Sequence, residues 1–590
     1  MFIINISFKC IKYIFFLQLL YANNILAIEQ DYRSNPEVGQ PTQKKSLVEY
    51  SKNFMIVCAD KRAANAARKI LSMGGNAIDA AIAAQNVLSV VEPQSSGLGG
   101  GGFLIFYNKK LNTIEAWDGR EFAPSSAKSN QYLDHKNKKM SFMDALVNPV
   151  SVGVPGLYSM LADAHSKNGN LKWDFLFTDA ISYAKSFKVS PRLNKMLSWA
   201  PHIKNDEYAK KIYFENNNPK TIGSVVKNIE LAKSLKIISS NGYSINNGKI
   251  SNLIQNELHP ILTKKDLNNW KTINRKPLCK KYHSYKICGF PPPTSGGIGV
   301  LQILSILEKL NTKFDYKNTF LDEHLFLEAS RLAYADRDAF IADPAFFNVP
   351  LKELLSDKYI SQRSDLINFN KAIKNFKKGD LGKFKNKYLH TGINLELPST
   401  THISIVDTFG NAVALTSSIE FAFGSGKTVG GFFLNNQLTD FSFLSHNKKG
   451  AKIANSVEPK KKPRSSMAPT LVFKNDELIG VLGSPGGSRI ICYVAKTLFY
   501  LINFNTKLEE VISLPHLCSR NKFSEIEFLG RKFKCPLNPK EYLKFAYGNW
   551  EIPVRTSNKY LYNTDEFKNK KIALLNDVKD KIKHYIYLIF

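Results

Sequence analysis

From residue 401 the chain alternates apolar and polar side chains. THISIVD at 401–407 runs into the turn TFGN, and AVALTSS at 412–418 alternates again. Period-two alternation on both sides of a short turn specifies a β hairpin. A second hairpin follows at 468–483, where APTLVF and LIGVLG flank KNDE. Hairpins of this composition carry apolar faces that the rest of the chain must cover. The first two thirds supply mostly helices. Residues 62–91 carry small and apolar residues at helical spacing, broken in two by Gly74 and Gly75. Residues 156–189, 229–238 and 252–262 read as helical, as do 299–310, after the loop PPPTSGG at 291–297, and 321–342. FLIFYN at 103–108 is a strand, and the helix RIICYVAKTLFYLINF follows SPGGS. The expected class is therefore α+β in layers, with no internal repeat.

Composition narrows the class further. Of 590 residues, 44% are hydrophobic and 22% charged, which excludes a disordered or collagen-like chain. Seven cysteines are too few for a disulfide scaffold, and they form no CxxC pair and no metal-ligand spacing with His. Lys and Arg total 81 against 50 for Asp and Glu, a formal +31. The lysines are scattered among Asn, Ile, Phe and Tyr, the drift of an AT-rich coding sequence. No nucleic-acid-binding motif accompanies them, so no nucleic-acid partner is expected.

The first 27 residues read as a signal peptide. Lys9 and Lys12 form its positive end, YIFFLQLLY at 13–21 its apolar run, and Ala27 its cleavage point. The run is shorter than the ~20 residues that span a bilayer. An exported protein is expected, periplasmic or secreted, with no stable membrane span. Six cysteines would remain after loss of Cys10, and their pairing is left open. Residues 28–52 read as a polar lead-in. The Lys/Asn-rich stretch 365–399 reads as an exposed, flexible linker.

Two familiar patterns fail on context. Gly97 to Gly102 matches GxGxxG, but a helix precedes it and a strand follows, the reverse of a dinucleotide fold. Gly424 to Thr428 resembles the end of a phosphate loop, yet Phe421 stands where its first glycine belongs and a strand follows. No cofactor and no metal are implied.

Two others hold. Ser399-Thr400-Thr401-His402 opens the first strand, just after the polar stretch. A Thr hydroxyl needs an adjacent base, and a free α-amine on the same residue supplies one if the chain is cut before Thr400. Gly483 to Ser488 lies between a strand and a helix. Successive N–H groups there can cradle an anion, and aimed at a tetrahedral intermediate they form an oxyanion hole.

With these segments in view, the chain resembles the gamma-glutamyltranspeptidase family of N-terminal-nucleophile hydrolases. The matching segments, in family order, are 90–108, WDGREFAP (117–124), VGVPG (152–156), PPPTSGG (291–297), EASRLAYADRDAFIADP (328–344), TTHISIVD (400–407), FLNNQLTDFS (433–442), SSMAPT (465–470) and GSPGGSRI (483–490). They cover roughly residues 50–530.

The resemblance implies a precursor that cuts itself between Ser399 and Thr400. A large subunit, 28–399, and a small one, 400–590, would form a heterodimer folded as one αββα sandwich. Thr400 would be nucleophile and, through its new amine, base. Its hydroxyl would attack a γ-glutamyl amide such as glutathione, giving an ester resolved by water or by an amino-acid or peptide acceptor. Arg120 would hold the substrate carboxylate, with Ser465 and Ser466 assisting. Gln437 and Asp440 would take the ammonium, and the N–H groups of Gly486 and Gly487 the oxyanion.

The chain departs from the family in places. The hydroxyl eighteen residues after the nucleophile is Ser418, where members carry Thr, and Glu420 stands at a family Asn. A carboxylate at 420 still suits the ammonium. The stretch 443–464, where members carry a lid, is Lys-rich without Tyr, which favours hydrolysis over transfer. After Asn521 the match fades. Two alternatives accompany this reading: a glutaryl or cephalosporin-type acylase, and an unprocessed, inactive exported homologue.

Overall fold

The computed structural model describes residues 48–240, 245–314, 319–373, 376–382, 399–447, 449–514, 516–520, 524–528 and 531–535. The expected signal peptide, nearly all of the polar lead-in, linker residues 383–398 and most of the divergent C-terminus lie outside the described residues.

The strands that build the site, in chain order, are β1 (Met55–Val57), β2 (Gly101–Asn108), β3 (Thr113–Gly119), β4 (Ile273–Arg275), β5 (Leu278–Tyr282), β6 (Tyr285–Gly289), β7 (Thr401–Val406), β8 (Ala412–Ser418), β9 (Thr470–Lys474), β10 (Glu477–Leu482) and β11 (His516–Ser519). The helices are α1 (Lys61–Ser72), α2 (Ala77–Val91), α3 (Leu157–Asn168), α4 (Gly296–Lys309), α5 (Thr319–Phe340), α6 (Asp357–Ser364) and α7 (Ile490–Phe504). One sheet has the order β1-β7-β8-β2-β3-β4 and a second β10-β9-β6-β5. Both expected hairpins form, the first in the register Thr401↔Ser417 to Val406↔Ala412. The protein is thus a mixture of helix and sheet.

The strands of the first two thirds are more numerous than their sequence suggests. β3 and the hairpin β5–β6 were not expected; β6 pairs with β9, and β3 joins the sheet of β7 and β8 through β2. In β5 and β6, Lys280, Lys281 and Lys286 interrupt the alternation: consecutive Lys280 and Lys281 point to opposite faces, so neither face of this short run reads as apolar. Each sheet therefore draws strands from both sides of residue 400.

Alternation along the larger sheet feeds two separate cores. Leu104, Phe106, Ile403, Ile405, Val413 and Leu415 join α1, α2 and α3 on one side. Phe103, Ile105, Tyr107, Ala412 and Ala414 join Ile287, Leu471, Phe473 and helices α4, α5 and α7 on the other. Helix α2 is buried along all fifteen residues, which its many alanines allow. Asn76 and Asp79 form a capping box at its start, a device worth about 1 kcal/mol. Gly74, at φ +89°, ends α1 in a conformation that a Cβ would strain.

Helix α4 begins at Gly296, inside the segment expected to be loop. A Cβ on Gly296 would collide with the Met467 carbonyl, so glycine permits this close approach to the SSMAPT segment. The Lys/Asn-rich stretch is also not loose throughout. The N–H of Ile373 donates to Glu328 Oε2 (2.7 Å) and that of Gly379 to Asp336 Oδ1 (2.9 Å), both on α5. Buried carboxylates of the helix hold the backbone there, and no periodicity in the stretch itself announces it. Disulfides join Cys279 to Cys288 across β5–β6 and Cys492 on α7 to Cys518 on β11, while Cys58 is a free thiol.

Candidate active site

Hairpin geometry explains the eighteen-residue spacing. With Thr401 opposite Ser417, the start of β7 and the end of β8 bring Thr400 beside Ser418. Thr400 Oγ1 donates to the Ser399 carbonyl (2.7 Å) and lies 3.3 Å from Ser418 Oγ. Ser418 Oγ also donates to the Ser399 carbonyl, at 2.8 Å. The carbonyl of the 399–400 peptide bond therefore accepts from two hydroxyls at once. Ser399 itself is buried, its hydroxyl donating to the Gln94 carbonyl.

The carboxylate and guanidinium groups arrive from distant parts of the chain. Arg120 follows β3 and is fully buried. Its Nε donates to the Pro463 carbonyl (3.1 Å), and its Nη2 to Asp440 Oδ2 (2.5 Å) and the Arg464 carbonyl (3.1 Å). Gln437 and Asp440 share one 3₁₀ turn, and Gln437 Nε2 donates to Asp440 Oδ2 (2.6 Å). Asn435 fixes that turn. It accepts from the N–H of Gln437 (2.9 Å) and donates to the carbonyls of Gly99 (2.7 Å) and Gly153 (2.9 Å).

Glu420 adopts φ +76°, unusual for a residue with a side chain. Its carboxylate accepts from Asn436 Nδ2 at 2.5 Å, and the same Asn accepts from the N–H of Phe421 (2.9 Å). Ser465 is clamped by the PPPTSGG segment: its N–H donates to the Pro293 carbonyl (3.1 Å) and its carbonyl accepts from the N–H of Ser295 (2.8 Å). Gly486 and Gly487 take φ +133° and +57°, between β10 and α7. A Cβ at Gly486 would crowd the Tyr493 ring.

One pocket is lined by Arg120, Thr400, Ser418, Glu420, Gln437, Asp440, Ser465, Ser466 and Gly487. Gly486 and Ser399 adjoin it without lining it. Met467 and Ile490 complete the wall and were not expected. Both lie inside matched motifs, but as apolar residues they carried no chemical signal. Asn435 and Asn436 were likewise not singled out, since an Asn that orients a neighbour looks like any turn Asn.

Electrostatics around the cavity are set by burial. Glu121 lies 3.7 Å from Arg120, and burial, opposed by that guanidinium, pushes its carboxyl up to about 8. Burial lowers His402 to about 3, so it stays neutral at physiological pH. Its two nitrogens bond Thr416 Oγ1 (2.8 Å) and Ser404 Oγ (2.9 Å), not Thr400. The Glu121 shift has a consequence for stability. The folded form retains a proton that the unfolded carboxyl, with its ordinary value of 4.5, gives up, so the contribution is full below 4.5 and lost as pH rises through about 8. Melting curves of Glu121→Gln and the parent protein should therefore draw apart in the variant's favour as pH rises from 5 to 9. A constant difference across that range would refute the shift.

A family model described as gamma-glutamyltranspeptidase matches residues 63–532. The glutathione hydrolase proenzyme of Bacillus subtilis (strain 168) is 35% identical over 490 residues, covering 81% of this chain and 82% of that one. The glutathione hydrolase proenzyme of Escherichia coli (strain K12) is 34% identical over 481 residues, covering 79% and 80%. Among solved structures, the cephalosporin acylase from Bacillus halodurans superposes with a TM-score of 0.70 at 25% identity, over 81% of this chain and 85% of that one.

Proposed function

The chain belongs to the gamma-glutamyltranspeptidase family, and from that premise we propose that it is an autoprocessed γ-glutamyl hydrolase and transpeptidase acting on glutathione and related γ-glutamyl amides. The observation that carries the substrate is the Arg120–Asp440 pair at 2.5 Å, in the same cavity as Thr400. The far end of a γ-glutamyl group bears a carboxylate and an ammonium on one carbon. A guanidinium and a carboxylate side by side match that zwitterion charge for charge. Glu420 and Gln437 add acceptors at the ammonium end.

Maturation begins at the 399–400 bond. Thr400 Oγ attacks the Ser399 carbonyl carbon, whose oxygen already accepts two hydroxyl hydrogen bonds. The C–N bond breaks, the Thr400 nitrogen leaves as an amine, and the resulting ester is hydrolysed by water. The products are the subunits 28–399 and 400–590. In turnover, the Thr400 amine takes the proton from its own hydroxyl as Oγ attacks the γ-glutamyl carbonyl. The N–H groups of Gly486 and Gly487 hold the oxyanion. The protonated amine passes its proton to the leaving nitrogen, and water or an acceptor amine resolves the ester. Neutral His402, engaged with Thr416 and Ser404, is not needed as a base.

The two subunits form one αββα sandwich in this reading. Support comes from the two cores that flank the larger sheet, one shared with α1 to α3 and the other with the smaller sheet and α4, α5 and α7. Export to the periplasm or beyond is proposed from the N-terminal apolar run. Among the described residues, no helix is long and apolar enough to cross a membrane.

The likeness to a cephalosporin acylase favours one alternative, a glutaryl amidase. A glutaryl group has the carboxylate and no ammonium, which would leave Asp440 and Glu420 buried against an apolar methylene. Purified protein should run as two chains whose masses break between Ser399 and Thr400. It should prefer γ-glutamyl to glutaryl anilide by about 10²-fold or more, the scale at which buried unpaired charges discriminate. A preference for the glutaryl compound would establish the amidase. A single uncut, inactive chain would establish the inert homologue.

A further inference from the structure

We infer that Arg337, on helix α5, sets the selectivity of this site for a substrate bearing an α-carboxylate, acting through the Ser466 hydroxyl. The inference rests on the γ-glutamyl reading above and extends it to a residue outside the cavity lining.

Arg337 is 6% exposed. Its Nη2 donates to Ser466 Oγ at 2.6 Å and its Nε to Ser295 Oγ at 2.8 Å. Ser295 in turn donates to the Ser465 carbonyl at 2.7 Å. One guanidinium thus holds both cavity serines, Ser466 directly and Ser465 through Ser295. A charge-assisted bond to the Ser466 oxygen polarises its O–H as a donor, which suits a carboxylate and disfavours a neutral amide. Behind it, Arg337 Nη1 donates to Asp338 Oδ1 (2.9 Å), and Arg464 Nη2 reaches the same oxygen at 3.3 Å. Two buried guanidiniums thus meet at one carboxylate behind the serine wall. Arg120 lines the same cavity, so a carboxylate bound there would meet one guanidinium directly and the charge of a second through the Ser466 hydroxyl. Burial makes the relayed charge felt, because little water intervenes to screen it.

Two donors separate this role from a structural one: γ-glutamyl anilide and its analogue with the α-carboxylate converted to carboxamide. Arg337→Met should cut kcat/KM for the carboxylate donor by about 30- to 100-fold, the scale of one lost charge-assisted bond, chiefly through KM. The carboxamide donor should change by less than about threefold, and the chain should still break after Ser399. Arg337→Lys keeps the charge but loses the fork, and should show a smaller loss confined to the same donor. Equal losses on both donors, or a fall in kcat with KM unchanged, would overturn the inference. If Arg337→Met does not yield folded protein, Arg337→Lys decides by the same ratio. If the parent protein itself ignores γ-glutamyl anilide, the functional reading fails first. If the parent cleaves it and the variants lose both donors alike, only the role of Arg337 fails.

Discussion

Thr400→Ala should be recovered as one uncut chain, with γ-glutamyl hydrolysis reduced by more than about 10⁴-fold, as expected when a covalent nucleophile is removed. Both losses have one origin. The hydroxyl that donates to the Ser399 carbonyl at 2.7 Å is the group that attacks it during maturation, and the later amine belongs to the same residue. Intact mass and an anilide assay read the two losses independently. Cut protein from this variant would remove Thr400 as the maturation nucleophile, and cut, active protein would remove it from both roles. Ser418→Ala is a useful companion. It deletes the second donor to the Ser399 carbonyl but leaves the nucleophile, so slow maturation is expected, not none.

Arg120→Lys should raise KM for γ-glutamyl anilide by about 30- to 100-fold with maturation intact, the loss of one charge-assisted bond worth about 2–3 kcal/mol. In the fold Arg120 spans three acceptors: Asp440, the Pro463 carbonyl and the Arg464 carbonyl. Only a planar guanidinium meets all three and still presents an edge to a carboxylate. An ammonium would settle on one or two of them. Maturation should persist because nothing in the Ser399–Thr400–Ser418 group depends on Arg120. An unchanged KM would take Arg120 out of carboxylate recognition, whereas a failure to mature would reassign it to folding of the precursor.

Much of this was legible along the chain, for reasons that can be named. The hairpin β7–β8 announced itself because THISIVD and AVALTSS alternate cleanly, and its register then made Ser418 the neighbour of Thr400. Helices α1 and α2 were legible from small residues at helical spacing with Gly74 and Gly75 between them. The hairpin β5–β6 was not, because lysines on both of its faces blur the alternation. The hold on Ile373 and Gly379 was not either, since it consists of their backbone N–H groups donating to Glu328 and Asp336 on α5.

What the sequence determined by itself was the chemical inventory and its order: a Thr that becomes a terminal amine, a guanidinium after β3, two serines, two carboxylates and a glycine pair before a helix. These are local choices, readable because each motif is only a few residues long. Only the tertiary structure decided which of them meet. Arg120 and Asp440 lie 320 positions apart, Arg337 and Ser466 are separated by 129, and no local pattern encodes either contact. The left-handed backbone at Glu420 and the burial that holds Glu121 protonated are decided there too. Such contacts arise when two sheets and their helices close around one core. Burial then supplies the low-dielectric surroundings in which a guanidinium seeks out a carboxylate or hydroxyl from across the chain.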